Sequence, residues 1–221
     1  MISKLPRWVE AGAFSLALLA GTVNAVGLLG VEHQSLSHLS GIATQLGSGL
    51  VTKAPGLWHL GGIILSFLVG SALSGWLIGQ SSLRLGRHYD TLLWLEATLL
   101  MMAALLLTHG GLGGHYFASA ACGLQNALVT TYSGAIVRTT HVTGVITDLG
   151  LMLGGRLRGG DFDRRKFWLL ILIVAGFIGG GFLGALLFAR WQFLALIGPA
   201  LACSALALSY RIYRATKGQG A

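Results

Sequence analysis

The sequence predicts an all-α polytopic membrane protein made of two inverted repeats, each with three transmembrane helices and one re-entrant or broken helix. Three observations lead there. Hydrophobic residues fill 54% of the 221 positions and charged residues 10%, with mean hydropathy +0.73, outside the range of soluble globular domains. Six apolar runs approach or reach the roughly 20 helical residues needed to cross a hydrocarbon core of about 30 Å. A ten-residue pattern, His-x-(Ser/Thr)-Gly-x-x-Thr-x-Leu-Gly, occurs at His38 to Gly47 and again at His141 to Gly150.

The chain reads as one integral membrane domain over residues 1–221, with repeat one at about 8–108 and repeat two at about 116–212. The first run, Ala11 to Val31, follows Lys4 and Arg7 and is followed by Val23-x-Ala25, an imitation of a secretory signal. Glu10 at its start and the repeat residues Asn24-Ala25 argue that it is retained as the first span. The other spans are Leu57 to Ile78, Thr91 to Thr108, Tyr116 to Val137, Trp168 to Ala189 and Phe193 to Tyr210. Gly21 and Asn24-Ala25 recur as Gly123 and Asn126-Ala127, offset by 102, and the histidines are offset by 103. Further on, Phe67-x-x-Gly70-x-x-x-Ser74 resembles Phe177-x-x-Gly180-x-x-x-Gly184, a small-xxx-small spacing that lets helices approach closely. The offset there is 110, which assigns an insertion to the charged loop Arg156 to Lys166.

Two segments between the spans, Ser37 to Val51 and His141 to Gly155, each hold one copy of the pattern. At about 15 residues each is short of a full crossing. Charge decides in the same direction. With both segments re-entrant and a cytoplasmic N-terminus, Lys4, Arg7, Arg84, Arg87, Arg156, Arg158, Arg164, Arg165, Lys166, Arg211, Arg214 and Lys217 all fall inside, and only Lys53 and Arg190 outside. Full crossings would move Arg84 and Arg87 outside, against the positive-inside rule. Three crossings per half then invert the halves relative to each other.

Broken helix at membrane depth is tolerated only in a protein-lined cavity, so the repeated element is where a solute would bind. Its N-terminal ends would offer unpaired N–H groups and positive partial charge to an anion. The candidate substrate-binding residues are Asn24, His38, Gly41 and Gln45 in the first half and Asn126, Arg138, Thr139, His141, Gly144 and Asp148 in the second. The copies agree on histidine and glycine but differ at the acid, Gln45 against Asp148. Arg138 reads either as an anion-binding fork or as a marker of the cytoplasmic end of its span that clamps Asp148. The asparagines read either as interhelical hydrogen bonds or as substrate contacts. Glu96, within the third span and without a counterpart in the second half, reads as a group that snorkels or hydrogen-bonds locally rather than one that binds a ligand.

Cys122 and Cys203 fall inside spans as packing residues. His33, His59, His88, His109 and His115 show no metal-ligand spacing, so no metal site and no cofactor is expected. No nucleophile elbow or phosphate-binding glycine loop is present, which argues against an enzyme. The net charge of +8 records orientation and gives no support to nucleic-acid binding.

The run from Gly123 through Asn126, Arg138-Thr-Thr-His141-Val-Thr-Gly144 and Thr147-Asp148-Leu-Gly150 resembles the YoaK family of bacterial membrane proteins, a domain of unknown function (DUF1275). The resemblance covers nearly the whole chain. It implies an integral protein of the bacterial inner membrane and carries no established substrate. The expected function is secondary transport of a small solute, anionic by the chemistry of the motif, bound between the repeats and coupled to protons through His141 and Asp148. The partners expected are the lipid bilayer and that solute or ion. The alternatives are a homodimeric ion channel that uses the re-entrant segments for selectivity, and a scaffold that transports nothing.

Overall fold

A computed structural model describes residues 8–30, 33–78, 88–133 and 137–218. Lys4, Arg7, Arg84 and Arg87, which carry part of the charge argument, lie outside these residues. Among the described residues all regular structure is helical: α1 (Trp8–Leu29), α2 (Leu39–Thr52), α3 (Leu57–Ile78), α4 (Tyr89–Thr108), α5 (Gly113–Tyr132), α6 (Val142–Leu157), α7 (Arg164–Trp191) and α8 (Ile197–Gly218). A 3₁₀ turn, Gln192–Leu196, joins the last two.

Among the described residues four stretches are long and apolar enough to cross a membrane: Glu10–Leu29, Leu57–Ile78, Tyr89–Thr108 and Arg164–Thr216. The last spans 53 residues and contains two of the predicted spans. The predicted span Tyr116 to Val137 is not among them, and its helix ends at Tyr132. Both departures have physical causes. The α5 helix buries His115, Ser119, Gln125 and Asn126 among its neighbours, so its surroundings are protein and its composition need not suit lipid. Past Tyr132, the Ser133 hydroxyl accepts the Val137 N–H at 2.9 Å, a side-chain bond in place of a helical backbone one.

The outward faces are apolar and carry tryptophans at both ends. On α3, Trp58 and Trp76 are 95% and 79% exposed and stand about 27 Å apart at 1.5 Å per residue. That spacing matches two membrane–water interfaces, where indole rings concentrate. Trp168 and Trp191 repeat the arrangement on α7.

Backbone-to-backbone contact holds the bundle together. Gly180 lies against the Leu18 carbonyl and Gly21 against that of Phe177, which joins α1 to α7. Gly70 lies against the Ala120 carbonyl and Gly123 against that of Phe67, which joins α3 to α5. These two pairs are the same contact at corresponding positions of the two halves. Hydroxyls reinforce both: Thr22 Oγ1 donates to the Gly180 carbonyl at 3.1 Å, Ser119 Oγ to that of Ile63 at 2.9 Å, and Ser71 Oγ to that of Gly123 at 3.0 Å. The register of the contacts makes α1 parallel to α7 and α3 parallel to α5. In contrast α4 runs antiparallel to α5, because Gln125 meets Glu96 while Tyr132 meets Tyr89.

The direction of the short helices follows. Glu10 pairs with Arg165 at 2.7 Å, so α1 and α7 begin at one end of the bundle, where α4 also begins and α5 finishes. Since α3 parallels α5, it starts at the opposite end. The chain therefore leaves α1 and starts α3 at one end, with α2 between; it leaves α5 and starts α7 at the other end, with α6 between.

Candidate functional site

The stretch leading into each motif helix is held by an asparagine of the preceding long helix. Asn24 Oδ1 accepts from Ser37 Oγ at 3.0 Å, from the Ser37 N–H at 3.2 Å and from Ser35 Oγ at 3.3 Å. Asn126 Oδ1 accepts from Thr140 Oγ1 at 3.2 Å, and its amide donates to His141 Nε2 at 3.3 Å. Ser37 and Thr140 occupy the same place, one residue before each motif histidine. The two copies are thus tied down by the same bond, asparagine to hydroxyl.

Beyond these ties the chain turns into α2 and α6, with His38 and His141 as N-cap residues. Neither histidine caps its helix, and neither first turn carries an acidic side chain. A helix start leaves its first N–H groups without internal partners, and at α7 the Asp163 carboxylate accepts one of them, from Lys166. At α2 and α6 no side chain of the described residues does so. Both open N-termini meet at one cavity of about 390 Å³, lined by Ser37, His38, Leu39, Ser40, Phe67, Thr140, His141, Thr143 and Gly144. Phe67 belongs to the middle of α3, so the cavity lies near half depth in the bundle.

The electrostatics of this cavity are positive in direction and small in formal charge. Partial burial, then the Arg138 guanidinium, then His38 hold the His141 imidazole below the usual histidine range. Accepting from the Asn126 amide at Nε2 fits the same neutral state. His141 lies in the stretch between α5 and α6, outside the spanning helices. Ser40 Oγ and His38 Nδ1 are 3.3 Å apart across the first turn of α2. Gly144 has nothing within 4 Å of the position a Cβ would take, which leaves backbone open to the cavity.

Of the sequence candidates, His38, His141 and Gly144 line the cavity, and Asn24 and Asn126 stand behind it as supports. Gly41 is exposed with open space around it. Gln45 and Asp148 share a motif position but not an environment. Gln45 lines a second cavity of about 600 Å³ with Gln34, Ser48, Thr52 and His59. Asp148 is exposed and pairs with Lys166 at 4.0 Å. The Arg138–Asp148 clamp is not formed: among the described residues Arg138, exposed, makes no ion pair. Thr139 is fully buried, with its hydroxyl unbonded, and it does not line the cavity.

Sequence reasoning passed over Ser37, Thr140 and Phe67, and it set Glu96 aside. A hydroxyl precedes the histidine in both copies, so extending the pattern upstream by one residue would have found the first two. Among the described residues no group of three or more His, Cys, Asp or Glu side chains is arranged to hold a metal. The chain matches neither a curated protein nor a solved structure. Residues 12–209 match the family described as protein of unknown function (DUF1275), and with its long apolar helices the chain belongs to that family as a multi-pass membrane-type helical protein.

Proposed function

We propose that the chain is a secondary transporter of a small anionic solute, bound between α2 and α6 midway through the bacterial inner membrane, with both termini cytoplasmic. One observation carries the reading: two uncapped helix N-termini, arriving from opposite ends of the bundle, converge on a single cavity with hydroxyls and imidazoles around it. Aligned N–H groups and the helix dipole favour negative charge at such a place. Among the described residues the lining has no carboxylate to repel an anion. A cavity of about 390 Å³ suits a carboxylic acid anion or an inorganic oxyanion.

Under this reading the two halves are inverted repeats and the motif helices are re-entrant. Their lengths support it, since 14 and 16 residues extend only about 21 and 24 Å, short of a hydrocarbon core near 30 Å. The matched glycine contacts of α1 with α7 and α3 with α5 support the repeat. The reading is non-enzymatic.

The test is uptake by proteoliposomes under an imposed pH gradient, with acetate, bicarbonate, phosphate and sulfate as candidate solutes. Saturable, gradient-driven uptake of one of them, strongly reduced in Thr143→Val and His38→Ala, is expected. Passive conductance far above transporter turnover would instead favour the homodimeric channel. No movement of any anion would overturn the reading.

A further inference from the structure

Glu96 stands in the third turn of α4 and is 3% exposed. Its Oε1 accepts from Gln125 Nε2 at 2.9 Å, and Oε2 is buried with no N–H or O–H donor reaching it. The groups that face it are Tyr89 on its own helix, Cys122 and Gln125 on α5, and Cys203 on α8. Among the described residues no Lys, Arg or His pairs with it. An ionised carboxylate can accept about four hydrogen bonds, and burying one with a single neutral donor is strongly unfavourable. The neutral acid removes that conflict, since its hydroxyl can turn to the Cys203 sulfur. A carboxyl so enclosed keeps its proton until water or a base reaches it.

The neighbouring residue gives this proton a connection. Gln125, which holds Glu96, and Asn126, which holds Thr140 and His141, are consecutive on α5, about 100° apart around it. A change of charge at Glu96 therefore acts on the same turn of helix that fixes the cavity wall.

We propose that Glu96 is a proton-binding site whose occupancy is relayed through Gln125 and Asn126 to the His141 segment of the cavity. In the step itself the carboxyl O–H bond breaks, its electron pair stays on Oε2, and the proton passes to water admitted from one side. The carboxylate then draws the Gln125 amide toward itself, and the α5 turn with Asn126 follows. The proton site is independent of the transport reading, whereas the use of the relay in coupling rests on it.

Infrared difference spectra of the full chain in liposomes, scanned over about pH 5 to 9, the reach of buried carboxyls, read the proton directly. A protonated-carboxyl carbonyl band lost on alkalinisation is expected, and its absence from Glu96→Gln at every pH. Glu96→Asp keeps a titrating band at a shifted position, which guards against a fold defect in the glutamine variant. A band that persists in Glu96→Gln, or no titrating band in the unaltered chain, overturns the site. The relay is read by maleimide labelling of Thr143→Cys, taken at each pH as the ratio of its rate with Glu96 to its rate in Glu96→Gln. This ratio removes the thiol's own titration. A change of about fivefold or more across the range is expected for a coupling of ordinary size; a constant ratio overturns the relay. Neither readout requires a transported solute, so failure here is distinct from failure of the uptake assay.

Discussion

Glycine plays two opposite parts in this chain, and one pair of substitutions separates them. A methyl group placed on Gly180 meets the Leu18 carbonyl, and one on Gly70 meets that of Ala120. Both obstacles are backbone, so a rotamer change relieves neither and the helices must part. Overpacking of this kind costs about 1 to 3 kcal/mol. Separation at Gly180 also stretches the Thr22 hydrogen bond to its carbonyl, and such interhelical bonds average about 0.6 kcal/mol in membranes. Alanine returns about 1 kcal/mol through its better helix propensity, which leaves a net loss near 2 kcal/mol for Gly180→Ala. At Gly144 nothing lies within 4 Å of the added methyl, so the propensity gain stands alone and the variant is as stable as the unaltered chain or more so. Reversible unfolding in mixed micelles, followed by tryptophan fluorescence against the mole fraction of denaturing detergent, ranks the two. The reasoning is refuted if Gly180→Ala proves no less stable than Gly144→Ala. Because Gly144 lines the cavity, its alanine variant is also expected to lower anion uptake with stability intact.

Removal of Asn126 leaves the buried Thr140 hydroxyl without its acceptor; Asn126→Ala is expected to lose about 1 to 2 kcal/mol and to speed hydrogen exchange in residues 137–144. Asn24→Ala removes an acceptor of three hydrogen bonds, one of them from backbone, so its exchange increase should fall on residues 35–41 and be the larger of the two. Partial burial, then Arg138, then His38 hold His141 below the usual histidine range; as pH falls through its lowered value it gains charge, and anion affinity measured by calorimetry should rise on the acid side, by at most about tenfold per pH unit for one proton. That rise should flatten in His141→Ala. The Arg165–Glu10 pair is about one third exposed on each side, so Glu10→Gln should change stability by about 1 kcal/mol or less. Membrane-impermeant labelling should reach Lys53→Cys from outside and Arg156→Cys only from the cytoplasmic side; labelling of both from the same side would remove the re-entrant reading.

Much of this arrangement is legible in the sequence because it rests on local or repeated signals. The apolar runs mark the long helices, and the twin Asn and His-containing elements mark the two segments that meet. What stayed hidden depends on rotation and on distant packing. Gln45 and Asp148 sit two turns beyond the histidines on their helices, far enough for the helical path to carry them off the cavity and toward separate neighbours, His59 and Lys166. The Glu96–Gln125 bond joins residues 29 apart, and no periodicity announces it. Likewise α5 is too polar for a lipid-facing span because it is enclosed by other helices, and enclosure is a property of the assembled bundle.

The pairing of α1 with α7 and of α3 with α5 also fixes the order in which the molecule can be assembled. Each half lends its first helix to the other, so neither half closes a core by itself. During synthesis α1 enters the bilayer with Thr22 still waiting for its acceptor on Gly180, and its seat exists only after α7 has emerged more than 130 residues later. The halves expressed as separate chains should therefore be short-lived alone and recover when produced together. Maturation of this protein is an end-to-end event, completed by its last third.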